Sequence, residues 1–186
     1  MMTETGTDDT ILNLLHEMTE YQKLSFTIQC LERLDLTQLF GKGDCMLFAD
    51  SIALMQKSLD NSSEADLLDE YIAYIAPRCG ELHQTVISTP HLIENKFNIK
   101  SRSFAADAIY ATSELIYHHL TCKNCPLNIM HVLENIQLSK KWLKEADPQA
   151  VQQEINWQIH KAQSILTNAP QEKNQTATVF KFPKST

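Results

Sequence analysis

The chain has 186 residues, 43% of them hydrophobic and 21% charged, with four glycines, five cysteines and a formal charge of −7. That length fits one domain with a hydrophobic core of its own. The composition also excludes function classes. Four glycines supply no phosphate-cradling loop, since Gly41 and Gly43 flank a lysine without a helix-opening context, and 16 basic residues scattered among 23 acidic ones argue against nucleic acid as a partner.

Apolar residues then recur at helical spacing almost throughout. Ile11, Leu14, Leu15 and Met18 form a first stripe, with Asp8 or Asp9 placed to cap it. Leu24, Ile28 and Leu31 form a second, while Phe26 and Cys30 lie on the other side of the same helix. A helix apolar on two sides is packed on two sides, so residues 20–37 are expected to lie deep. Gly41, Gly43 and Asp44 predict a turn and an N-cap for residues 46–59, with Leu47, Ile52, Met55 and Leu59 inward. Asn61, Ser62 and Ser63 punctuate the chain again. An acidic helix follows, in which Asp66, Asp69 and Glu70 accompany Leu67, Leu68, Tyr71, Ile72 and Ile75, and Pro77 and Gly80 are expected to end it.

The run from Thr85 to Thr89 has strand propensity but no partner strand nearby, so a short helix ending before Pro90 is predicted. Residues 103–120 read as one helix apolar on nearly every side, through Phe104, Ala105, Ala106, Ala108, Ile109, Tyr110, Ala111, Leu115, Ile116 and Tyr117. Such a helix belongs at the centre of a bundle. Pro126 and Pro148 mark two later helix starts, each at a first-turn position where the missing N–H costs nothing. The first buries Ile129, Val132, Leu133, Ile136 and Leu143; the second buries Val151, Ile155, Ile159, Ala162 and Leu166. After Pro170 periodicity lapses, so residues 1–170 read as a single all-helical domain and residues 171–186 as a flexible tail. The expectation is all-α: a single compact bundle of about seven helices.

Several short strings share their spacing with a known family: Tyr21-Gln22 with Ser25-Phe26 and Glu32-Arg33-Leu34, then Phe40-Gly41-x-Gly43 and Asp50-x-Ile52. Asp107-Ala108, Ser113-Glu114-Leu115 and Ile155-x-Trp157-x-Ile159 continue the likeness. On these residues the chain resembles the bacterial YjaG-like family, a domain of unknown function, over roughly residues 20–166. The resemblance implies an all-helical, cytoplasmic bacterial protein and brings no activity, cofactor or catalytic residue. Cys122, Cys125 and His131 stand outside the family's pattern.

The compartment is expected to be the cytoplasm. The first twenty residues carry Glu4, Asp8, Asp9, Glu17 and Glu20 without Lys or Arg, which does not fit a secretory signal. No apolar run approaches the ~20 residues that span a bilayer, so no membrane partner is expected. An odd number of cysteines, three of them isolated, suits reduced thiols.

Two constellations carry chemical potential. His118-His119-x-x-Cys122-x-x-Cys125, with His131 downstream, offers thiolate and imidazole ligands that could close a tetrahedral zinc site. Structural zinc usually draws on two separated ligand pairs, however, and here every ligand comes from one corner. A plain interhelical turn is favoured, with no cofactor. Asp107, Glu114 and His118 fall within about 40° of one another on one helix, a stripe suited to acid–base work of a hydrolase or metal-dependent enzyme. The bland reading is favoured there too: buried acids demand partners, and a structural ion-pair network of Glu32 and Arg33 with Asp107 and Glu114 would supply them. Paired Glu-x-x-His motifs of a di-iron bundle are absent, as is a Gly-x-Ser-x-Gly elbow. The Lys140, Lys141, Lys144 cluster reads as a solvated face. Trp157 points away from its helix's inward stripe, so it is either covered by another helix or the tail, or it anchors a partner. The reading that follows is a non-enzymatic protein-interaction or regulatory module whose partner is another protein or a second copy in a homodimer.

Overall fold

The computed structural model describes residues 5–88, 96–122, 128–143 and 147–168. Among the described residues there are eight α-helices and no strand, against the about seven helices expected. They are α1 (Thr5–Glu17), α2 (Glu20–Leu31), α3 (Leu36–Leu39), α4 (Lys42–Asp60), α5 (Ala65–Ser88), α6 (Lys96–Thr121), α7 (Ile129–Leu143) and α8 (Pro148–Asn168), with a 3-10 turn at Ser62–Glu64.

The boundaries follow from local chemistry. The first helix starts at Thr5, ahead of the Asp8 or Asp9 cap expected from the sequence. A capping box opens α2: the Thr19 hydroxyl accepts from the Gln22 amide at 3.2 Å, and the Gln22 side chain accepts from the Thr19 amide at 2.9 Å. The single deep helix expected over residues 20–37 is broken instead. Asp35 caps α3, accepting from the Gln38 amide at 3.2 Å and the Thr37 hydroxyl at 2.7 Å, and a residue so placed favours a new start over continuation. Gly41, without a side chain to contribute, occupies the N-cap of α4, and Asp44 lies within its first turn.

The largest departure is at Pro77. It was expected to end its helix, yet α5 runs through it to Ser88 and absorbs the short helix expected before Pro90. Pro77 is exposed, and it removes only one backbone bond. Packing outweighs that loss, because Leu68, Ile75, Cys79 and Leu82 continue one buried stripe on both sides of it.

Helix α6 packs against α2, α3, α4, α5 and α7. Its fully buried positions are mostly small: Ser101, Ser103, Ala105, Ala106, Ala108, Thr112 and Ser113, with Ile109 and Ile116. The large residues expected to make it apolar all round, Phe104, Tyr110, Leu115 and Tyr117, are half-buried. Small side chains let neighbouring backbones come close, and their polar atoms are satisfied locally. The Ser101 hydroxyl donates to the Ser139 carbonyl at 2.6 Å, the Cys79 thiol to the Ala106 carbonyl at 3.4 Å, and Thr112 and Ser113 to carbonyls of their own helix.

Asp147 caps α8 by accepting from the Gln149 amide at 2.8 Å, with Pro148 in the first helical position as its chemistry favours. Helix α8 packs against α1, α2 and α7. The helix start expected at Pro126 and the tail expected over residues 171–186 lie outside the described residues. No helix among the described residues is long and apolar enough to cross a membrane.

Candidate functional site

Asp107, Glu114 and His118 share a face of α6, but their surroundings diverge. Asp107 is half-buried. Burial pushes its carboxyl above the usual carboxylate range, and the nearby imidazoles of His83 on α5 and His131 on α7 hold that rise in check. Glu114 is occupied one turn along, accepting from the Tyr110 phenol at 2.5 Å; that bond and burial push the phenol up to about 12. His118 is exposed, with its ring centroid 5.9 Å from that of Tyr117. The stripe therefore brings together an acid, a carboxylate engaged elsewhere and a solvated imidazole. His83, which the sequence reading left out, is closer to Asp107 electrostatically than either expected companion; it lies across a helix interface that spacing along α6 could not reveal.

The nearby thiol is no nucleophile. Cys79 is buried, donates to a backbone carbonyl and is pushed up to about 12 by desolvation, with the Asp107 charge adding to the rise. Of the candidate metal ligands, His118, Cys122 and His131 are each exposed, and Cys125 lies outside the described residues. Among the described residues no group of three His, Cys, Asp or Glu side chains is placed to hold a metal ion.

The ion-pair network expected for Glu32, Arg33, Asp107 and Glu114 is replaced by another. Arg33 finds its carboxylate on α8, where its Nε lies 3.3 Å from Oε2 of Glu154, and Glu32 is exposed. Lys140 of α7 reaches the same oxygen at 2.5 Å. The second oxygen, Oε1, accepts from the Gln158 amide at 3.3 Å, and Gln158 in turn accepts from Gln137 at 2.8 Å. Glu154 is 1% exposed, so this is a buried carboxylate with two cations and an amide around it. Charge geometry explains the change of partner: Arg33 leaves α2 at its C-terminal end, beside α8. A weak signal was present, since Glu154 and Gln158 continue a four-residue ladder with Ala150 and Ala162 along the inward side of α8. Lys140 was read as part of a solvated cluster, although only 20% of its side chain is exposed.

The same arginine accounts for Trp157. Its guanidinium carbon sits 4.1 Å from the indole centroid, and the ring is half-buried against the core. The outward Trp157 expected from the sequence is thus covered by Arg33.

The exposed large apolar side chains lie elsewhere. Leu12 on α1, Tyr21 on α2 and Met46 on α4 are each exposed singly, while α5 carries three: Leu67 at 41%, Tyr74 at 68% and Ile87 at 59%. Leu67 and Tyr74 are seven residues apart, two turns along one helix face, with the exposed Glu70 between them. Arg78 grips Asp44 through two bonds, Nε to Oδ1 at 2.8 Å and Nη2 to Oδ2 at 2.6 Å. That pair pins the start of α4 beside α5, one turn along α5 from Tyr74; Met46, two residues after Asp44, lies on the other side of α4. The chain matches no protein-family model, no curated protein and no solved structure.

Proposed function

We propose that this protein is a non-enzymatic helical interaction module of the cytoplasm, a compact bundle around α6 that binds another protein through the exposed face of α5 where it meets the start of α4. The observation that carries the reading is the exposure of Leu67 and Tyr74 on one face of α5, beside the Asp44–Arg78 clasp. Each such side chain gains about 1–2 kcal/mol on losing its water, enough together to anchor a transient complex. Glu70 on this face and Asp66 at its edge are both exposed. The partner that fits is therefore an apolar segment flanked by basic residues. A second copy of this chain fits less well, because two-fold pairing of the same face sets Glu70 and its neighbours near their own copies. Kinship with the YjaG-like family is proposed on the sequence likeness alone and adds no activity.

The test pairs Leu67→Asp with Tyr74→Asp in one chain. Both positions face water, so thermal stability should stay within about 1 kcal/mol of the parent. The complex formed by the parent in an extract of its native cell should be lost on size-exclusion chromatography, and an unchanged elution would reject the surface. Light scattering on the purified parent then separates a heterologous partner, expected with a monomer, from a homodimer.

One observation favours a second reading. Asp107 has a raised carboxyl between two imidazoles, the kind of perturbed group that acid–base catalysis uses. Against it stand the engaged Glu114 and the desolvated Cys79, which leave no nucleophile beside it.

A further inference from the structure

A cavity of about 340 Å³ opens where the turn after α2 meets α3, α7 and α8. Its size lies at the lower end of small-molecule sites. Its lining includes the charged Arg33, Asp35, Lys140 and Glu154 and the apolar Leu34, Leu39 and Leu143. Around Glu154 the charges are unequal: two cations converge on one oxygen of one carboxylate, whose other oxygen is filled by Gln158. Glu154 therefore neutralises one cation and orders both. Among the described residues Arg33 uses only its Nε for that carboxylate, which leaves the two terminal nitrogens of its fork for another acceptor. Lys140 likewise spends one of three ammonium protons on it. Stacking on Trp157 fixes the plane of the guanidinium before any ligand arrives.

Asp35 of that lining is turned to other work. Its carboxylate accepts from Thr37 and from the Gln38 amide at the start of α3. It is exposed, as is Arg33, and water screens both, whereas Glu154 and Lys140 are more protected. The lining is balanced in formal charge, and what it offers an anion is unspent donors, the Arg33 fork and two Lys140 protons, beside Leu34, Leu39 and Leu143.

We infer that this cavity binds a small organic acid, a carboxylate on a short aliphatic or aromatic body, with the carboxylate on the Arg33 fork and Lys140 and the body against Leu34, Leu39 and Leu143. A planar fork and a carboxylate match in two-point geometry, and the leucines require an apolar body that inorganic phosphate lacks. The site is separate from the α4–α5 face, so the two proposals stand or fall independently.

The experiment titrates the full-length chain with hexanoate, hexanamide, hexylamine and inorganic phosphate, reading the Arg33 Nε–H and the indole N–H signals by NMR. Hexanoate should give saturable shifts at Arg33 and Trp157, with the Trp142 indole unmoved. Hexanamide and phosphate should bind about tenfold or more weakly, and hexylamine should leave both signals in place. Arg33→Gln should weaken hexanoate by about tenfold. Should that variant unfold, Arg33→Lys keeps the charge on Glu154 while removing the fork, and a weakening of several-fold is expected. Absence of a saturable shift, equal binding of hexanamide or phosphate, shifts centred on Trp142, or indifference to Arg33 substitution would each overturn the proposal.

Discussion

The Glu154 cluster gives a quantitative prediction about redundancy in a buried ion pair. Arg33→Ala removes one charged hydrogen bond and a cation–π stack, but Arg33 is 36% exposed and Lys140 remains on the carboxylate. Discounted for that exposure, the loss should be about 1–2 kcal/mol. The Lys140→Met change keeps the aliphatic stem and removes the other cation, with a similar loss of about 1–2 kcal/mol. Together the two leave Glu154, 1% exposed, with only the Gln158 amide. An unpaired buried carboxylate costs several kcal/mol, so the double variant should lose about 4–6 kcal/mol, exceeding the sum of the singles by about 2 kcal/mol. Adding Glu154→Gln to the double variant removes the stranded charge and should restore about 2 kcal/mol or more. Urea unfolding followed by far-ultraviolet circular dichroism supplies each value, provided transitions by a second probe coincide. Strict additivity of the two single losses, or failure of Glu154→Gln to rescue, would refute the idea that the two cations share one buried charge.

Three further outcomes follow from other parts of the fold. Pro77→Ala restores a backbone N–H inside α5 at an exposed position and should raise stability by roughly 1–3 kcal/mol in the same urea assay; a loss would mean that the proline's geometry is required by the packing of Ile75 and Cys79. Asp107 has its carboxyl raised in the fold, so the native chain holds that proton over a pH range in which the unfolded chain has released it, and its contribution to stability falls as pH rises through that range. Asp107→Asn should accordingly melt above the parent at neutral pH, with the gain vanishing below about pH 4, where both states are protonated; a gain that persists in acid would contradict burial as the cause. Alkylation mapped by mass spectrometry should label Cys122 in the folded chain and leave Cys30 and Cys79 untouched until denaturant is added, since both are buried with thiols raised by desolvation.

Periodicity carried most of the fold into view, and its failures have local causes. The apolar stripes of α2, α4, α7 and α8 are legible because burial repeats at the helical period, and Asp147-Pro148 announces α8 by cap chemistry alone. Pro77 misled because a breaker acts on one hydrogen bond, whereas the stripe from Leu68 to Leu82 gains from every residue it buries. Asp35 misled in the other direction: its neighbours are apolar enough to continue a helix, and only its side-chain bonds to Thr37 and Gln38 reveal a restart. The polar network was less legible still. Arg33 was readable as a buried partner, but its carboxylate lies 121 residues away, and spacing along a chain cannot choose between Asp107, Glu114 and Glu154. Trp157 looked outward for the same reason, because the group that covers it belongs to another helix.

The α4–α5 face as a protein-binding surface is tested most directly by photocrosslinking inside the native cell. A photoreactive residue replaces Tyr74 in one chain and Gln152, an exposed position on α8, in another. The account predicts a discrete crosslinked species of higher mass from position 74, lost when Leu67→Asp is added, and none from position 152. A chain that crosslinks equally from both positions, or from neither, would contradict it.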